Sequence, residues 1–109
     1  MKIESFKLDD MIKGWFIGNF EPSLFKTNDV EVGVKRYKAG DTENNHFHKI
    51  ATEFTVIVLG EVEMNGMIYK ENDILKIAPN VAANFKAITD VITVVVKLPG
   101  ANNDKYDAS

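Results

Sequence analysis

The chain has 109 residues, 45% of them hydrophobic and 27% charged, a length and balance that give one globular domain with a modest core. A formal net charge of −3, with no basic run longer than Lys35-Arg36, argues against a nucleic-acid or anionic-membrane partner, because both need a positive field. The absence of cysteine excludes disulfides, thiolate nucleophiles and cysteine-ligated zinc. Together with an N-terminal stretch that lacks a signal-peptide apolar region, it gives the expectation of a cytoplasmic protein. No apolar run approaches the roughly 18 residues of a membrane-spanning helix.

Taken in chain order, the dominant pattern has period two rather than 3.6. Asp9 to Lys13 has room for one helical turn at most. Ile12, Gly14, Phe16 and Gly18 fall on one side of an early strand, with Trp15 and Ile17 on the other. Val30, Val32 and Val34 alternate with Glu31, Gly33 and Lys35, which reads as a half-buried strand. Phe54 to Leu59 is apolar and β-branched on both sides, which suits a central strand. Glu61, Glu63 and Asn65 alternate with Val62 and Met64, Asn65-Gly66 has the composition of a type I′ turn, and Met67 to Tyr69 returns as the second arm of a hairpin. Asp73 to Ala78 and Val91 to Leu98 complete the set. Turn residues at short intervals between these segments predict an all-β sandwich or short barrel. One domain is expected over 1–109, with its core at about 12–98 and a loose polar tail over 101–109.

The chain's two histidines form His46-Phe47-His48. On a strand, residues i and i+2 share a face, so both imidazoles can converge on one point. The other reading is a histidine pair on a solvated strand. Glu53 follows at the start of the most hydrophobic strand, where it either caps the strand end or joins the histidines. Two imidazole nitrogens and one carboxylate form a donor set suited to Fe(II), Mn(II), Ni(II) or Zn(II), with coordination positions left for water or substrate.

The segment Gly40-x5-His46-x-His48-x4-Glu53-x6-Gly60 resembles the first motif of the cupins, G-x5-H-x-H-x3–4-E-x6-G, at every fixed position. The resemblance implies a cupin β-sandwich or jelly-roll-like barrel. It also implies one divalent metal ion held by His46, His48 and Glu53. The second cupin motif, G-x5-P-x-G-x2-H-x3-N, is matched only in outline by Asn72 to Phe85. Asn72-Asp73 stands where glycine-aspartate is usual. With Pro79 as the motif proline the expected histidine falls at Asn84; with Ala78 in that place it falls at Ala83. Asn84 then either ligates the metal through its amide oxygen, or hydrogen-bonds a ligand without touching the metal, or is a turn residue.

The interior of a small barrel is where a substrate would sit. Thr55, Ile57, Tyr69 and Phe85 are the candidate pocket residues, with Phe54 and Trp15 also considered; ordinary core packing is the competing reading for each. Glu43, Asn44 and Asn45 are placed in a loop at the mouth, and Arg36 in a surface ion pair. Ser5, Ser23 and Ser109 have no histidine relay, which argues against nucleophilic hydrolysis. The resemblance implies a metal-dependent isomerase, lyase, decarboxylase or dioxygenase acting on a small polar metabolite such as a sugar or carboxylate. The competing functions are a non-catalytic ligand-binding module and a structural role. Two or more acid-base side chains facing the metal, besides the ligands, would favour an enzyme; an apolar wall would favour binding or structure. The resemblance also implies a homodimer, to which Trp15-Phe16-Ile17 would contribute.

Overall fold

The computed structural model describes residues 2–108; Met1 and Ser109, the two ends of the expected domain, lie outside the described residues. Ten strands follow a short 3-10 turn at Leu8–Asp10: β1 Trp15–Ile17, β2 Glu31–Tyr37, β3 Thr42–Phe47, β4 Thr52–Leu59, β5 Glu61–Met64, β6 Met67–Lys70, β7 Ile74–Ile77, β8 Ala83–Ala87, β9 Val91–Leu98 and β10 Tyr106–Asp107. They form two five-stranded sheets in the orders β1-β2-β9-β4-β7 and β10-β3-β8-β5-β6. Every pairing between named strands is antiparallel. This is the all-β architecture expected from the period-two pattern.

The β5–β6 hairpin turns at Asn65 and Gly66, whose φ values of 50° and 80° are those a type I′ turn requires. Asn72, with φ 76°, takes the left-handed position of the β6–β7 turn, and the Asp73 carboxylate accepts the Lys70 amide at 2.8 Å. An asparagine at that turn tolerates the positive φ that would otherwise select glycine.

The hydrophobic core fills one end of the sandwich. Ile57, Val62, Met64, Ala83, Phe85, Ala87 and Val91 form it, and Tyr37, Tyr69, Leu75 and Ile77 pack against it. The other end is lined differently. On β2 the residues turned inward are Glu31, Gly33, Lys35 and Tyr37, while Val32 and Val34 lie on the outer face. The alternation is the one read from sequence; the polar side faces in because this end encloses a cavity rather than a core. The outward valines are sheltered by cross-strand rows, Val32–Val96–Phe54 and Val34–Val94–Val56. Phe54 therefore belongs to the outer face, not to the pocket.

The C-terminal segment corrects the expectation of a loose tail. β10 pairs with β3, placing Tyr106 opposite Phe47 and Asp107 opposite His46. Tyr106 stacks on Phe47 with ring centroids 5.5 Å apart.

Gly60 ends β4 at a point where only glycine fits. Its φ is 91°, and an added Cβ would lie 2.1 Å from the Asp90 carbonyl oxygen. Gly60→Ala is expected to destabilise the fold by about 2–4 kcal/mol, combining positive-φ strain with a backbone clash. Chemical denaturation against the parent checks this, with Gly66→Ala, where nothing lies within 4 Å, as a control for φ alone.

Candidate metal centre

β3 carries His46 and runs into His48; β4 carries Glu53 and Thr55 on the same inward face. All four border a cavity of about 270 Å³ at the polar end of the sandwich. The two imidazoles meet edge to face, with centroids 5.5 Å apart. His48 is buried, 5% exposed, and its Nε2 lies 3.5 Å from Glu53 Oε1. The second Glu53 oxygen accepts the Thr55 hydroxyl at 2.9 Å.

Both imidazoles direct Nδ1 at a backbone carbonyl, His46 at Asn44 O (3.0 Å) and His48 at Asp104 O. A carbonyl only accepts, so Nδ1 carries a proton in each, and in the neutral ring Nε2 keeps its lone pair. That is the tautomer a metal ligand needs, with its orientation fixed by the partner behind it. The His48 Nε2 is buried and has no hydrogen-bond partner. A buried orphan nitrogen facing a carboxylate costs free energy unless something fills the gap. The donor set thus fits a divalent cation. Among the described residues, no group of three histidine, aspartate or glutamate side chains is gathered tightly enough to hold an ion as placed. Ligation by all three needs side-chain rotation.

Burial alone would raise the Glu53 carboxyl; the His48 ring beside it, the Thr55 hydroxyl and the charge of Lys97 outweigh it and hold the group below the usual carboxylate range. An ionised Glu53 is the form a cation would take.

Asp104 is the residue that sequence reasoning missed. It is 5% exposed, and its carboxylate accepts the amides of Lys49 (2.9 Å), Ile50 (3.1 and 3.2 Å) and Ala51 (2.9 Å). Those three residues, with Thr52, link His48 to Glu53. One residue of the C-terminal segment therefore sets the turn between two candidate ligands and, through its carbonyl, the ring of one of them. An aspartate in a polar tail gives no sequence signal, because the contact spans more than fifty positions.

The second-motif region resolves as follows. Asn84 borders the cavity, but its side-chain oxygen accepts the Asn65 amide at 2.8 Å while its own amide donates to Asn65 Oδ1 at 3.1 Å. It braces the β5–β6 hairpin on the exposed face and is not placed to ligate. The inward residue paired with His46 is Ala83, which has no donor. The expected fourth ligand position is thus alanine, in the register that puts Ala78 where the motif proline stands. Of the candidate pocket residues, Thr55 and Phe85 line the cavity and so does Trp15, whereas Ile57 and Tyr69 belong to the core. Glu43 lies in β3 rather than a loop and faces the cavity, where it accepts the Tyr37 hydroxyl at 3.2 Å. Burial, and then Glu43, push the Tyr37 hydroxyl well above its usual range, so it stays a donor. Arg36 pairs with Asp9 on the surface at 3.3 Å.

No family model matches the chain, and no curated protein matches it in sequence. Solved structures do match. An uncharacterized conserved protein with a double-stranded β-helix domain from Klebsiella pneumoniae superposes with a TM-score of 0.71 and 24% identity, over 99% of this chain and 97% of that one. The chain has the cupin fold. An RmlC-like cupin from Shewanella frigidimarina matches with a TM-score of 0.64 and 20% identity, over 72% of each chain. Oxalate decarboxylase from Bacillus subtilis, described with Mn(II) centres, matches with a TM-score of 0.62 and 16% identity, over 74% of this chain and 24% of that one. The cupin fold, implied by the first motif, is thereby shown.

Removing the Asp104 carboxylate leaves three backbone donors of the chain without partners. Asp104→Ala is expected to lose about 2–4 kcal/mol at neutral pH, at about 1 kcal/mol or more per orphaned group. Burial would raise this carboxyl, but the amides of Ala51, Lys49 and Ile50 hold it below the usual range. A folded-state value below the unfolded one contributes stability above the unfolded value of about 4, lost as pH falls through the folded value. Urea denaturation at several pH values should show the gap between parent and variant narrowing only in that acid range.

Proposed function

We propose that this chain binds one divalent metal ion through His46, His48 and Glu53 and acts at that centre on a small polar metabolite, as a cytoplasmic metal-dependent enzyme. The observation that carries the reading is the unpartnered, buried Nε2 of His48, 3.5 Å from Glu53 Oε1 beside a cavity that His46 also borders. The Mn(II) centres of oxalate decarboxylase, a structural neighbour, support a metal here without naming it; Fe, Mn, Ni and Zn all suit the donors. With Ala83 in place of a fourth ligand, the chain supplies three and leaves the remaining positions to water or substrate.

When bound, the ion supplies Lewis-acid polarisation, or an O2-binding centre if it is iron. The chain supplies the rest. Asp104 and Asn44 hold the two imidazoles in the tautomer that frees Nε2. Glu53 stays ionised. Tyr37 remains protonated and donates to Glu43, so this pair can hold or pass a proton at the cavity wall. Lys35 and Lys97 also face the cavity. A wall with several acid-base side chains besides the ligands favours turnover over passive binding or a purely structural role.

Elemental analysis of protein prepared without chelator or histidine tag is expected to find about one equivalent of a transition metal in the parent and none in His46→Ala/His48→Ala. A metal-free parent, or full retention by the variant, would overturn the assignment.

We further propose a homodimer. Its support is the exposed N-terminal arm, where Ile3 and Phe6 are 96% and 57% exposed, and the edge strand β1, paired on one side only by β2. Light scattering on a sizing column is expected to give twice the chain mass, and deletion of residues 2–7 the monomer mass; a monomeric parent at all concentrations would contradict it.

A further inference from the structure

The cavity carries a charge pattern opposite to that of the chain. The protein has a net charge of −3, yet four of its lysines, Lys13, Lys35, Lys97 and Lys105, border the cavity, against Glu43 and Glu53. Among the described residues, none of the four lies in ion-pair contact with a carboxylate.

The sheet register places the inner donors. Lys35 on β2 lies opposite Thr93 on β9, and Lys97 on β9 lies between Glu31 on β2 and Glu53 on β4. Gly33 comes between those two rows and leaves room for Trp15; an added Cβ would lie 2.7 Å from the indole ring. The ring then sits among the lysines, with Lys35 Nζ 5.4 Å and Lys97 Nζ 4.9 Å from its centroid. Lys35 Nζ donates to the Lys13 carbonyl at 2.9 Å, which leaves donors to spare on an ammonium that has three. Thr93 is 1% exposed, and its hydroxyl has no partner. Two ammonium groups steadied on one indole, beside an orphan hydroxyl, make a cradle short of acceptors.

We propose that the cavity takes a small organic anion, its carboxylate or phosphate oxygens held by Lys35, Lys97 and Thr93 beside Trp15. This deepens the metal-centre reading, on which it rests only for the destination of the ligand's other end. Burial, with Lys13, Lys97 and Lys105 nearby and only Glu43 opposing, lowers the proton affinity of Lys35, a strain that an anion relieves. A neutral sugar would bring the four ammonium groups no counter-charge beyond that of Glu43 and Glu53.

The test is calorimetric titration of the chain, as purified and after chelation, with malonate, inorganic phosphate and glucose. At least one of malonate and phosphate is expected to bind, and glucose not. Lys35→Gln and Lys97→Gln should each weaken the anion about tenfold or more, in both metal states, and Lys70→Gln should leave it unchanged. The malonate and phosphate arms separate carboxylate from phosphate recognition. Thermal melts accompany each variant; if Lys97→Gln does not fold, Lys35→Gln decides alone. No anion binding, glucose binding as tight as either anion, or anion affinity indifferent to Lys35 overturns the proposal. Metal content is measured on the same samples. Lysine-independent binding with metal present would defeat the anion cradle alone, whereas lysine-dependent binding in a metal-free parent would uphold the cradle and defeat the metal centre.

Discussion

The carboxylate of Asp104 sits where the amides of Lys49, Ile50 and Ala51 converge, and the carbonyl of the same residue takes Nδ1 of His48. The site depends on this double anchor. It sets the turn joining His48 to Glu53, and it fixes which nitrogen of His48 bears the proton. Without it, His48 could present either nitrogen and the turn could open. A charged acceptor at three backbone donors is among the stronger hydrogen-bonding arrangements a fold can make. The C-terminal segment is therefore part of the site's construction.

The sandwich divides its interior between two tasks. At one end Ile57, Val62, Ala87 and Val91 close an apolar core. At the other the inward positions of β2, β4 and β9 include Lys35, Glu53, Thr55, Thr93 and Lys97, side chains that a core would reject. The cost of turning them inward is offset partly by internal partners, such as Thr55 for Glu53 and the Lys13 carbonyl for Lys35. What remains unpaired, His48 Nε2 and the Thr93 hydroxyl, marks where a cation and a ligand would complete the structure.

Much of this was legible in the sequence, for identifiable reasons. Strand periodicity survives tertiary packing, so the all-β class and the Asn65-Gly66 hairpin follow from local residues. The histidine spacing places both imidazoles at one cavity because the strand pleat does so directly. What failed depended on context. The valines of β2 suggested an inward face, but the cavity claims the opposite one. Asn84 was a candidate ligand by alignment to a motif, yet the strand's alternation turns Ala83 inward and leaves Asn84 to brace Asn65. Ile57 and Tyr69 were apolar enough for pocket or core, and only the packing assigns them to the core. Asp104 and the lysine cradle depend on contacts between distant segments, which no local pattern encodes.

On the proposed reading, the free nitrogens of His46 and His48 and the carboxylate of Glu53 share one cation. Anomalous diffraction from crystals soaked in Mn(II), with data on both sides of a metal absorption edge, tests it most directly. One peak per chain is expected, within about 2.0–2.4 Å of Nε2 of both histidines and of a Glu53 oxygen, with Asn84 uninvolved. No peak in the cavity, or one held by other side chains while His48 Nε2 stays bare, would contradict it.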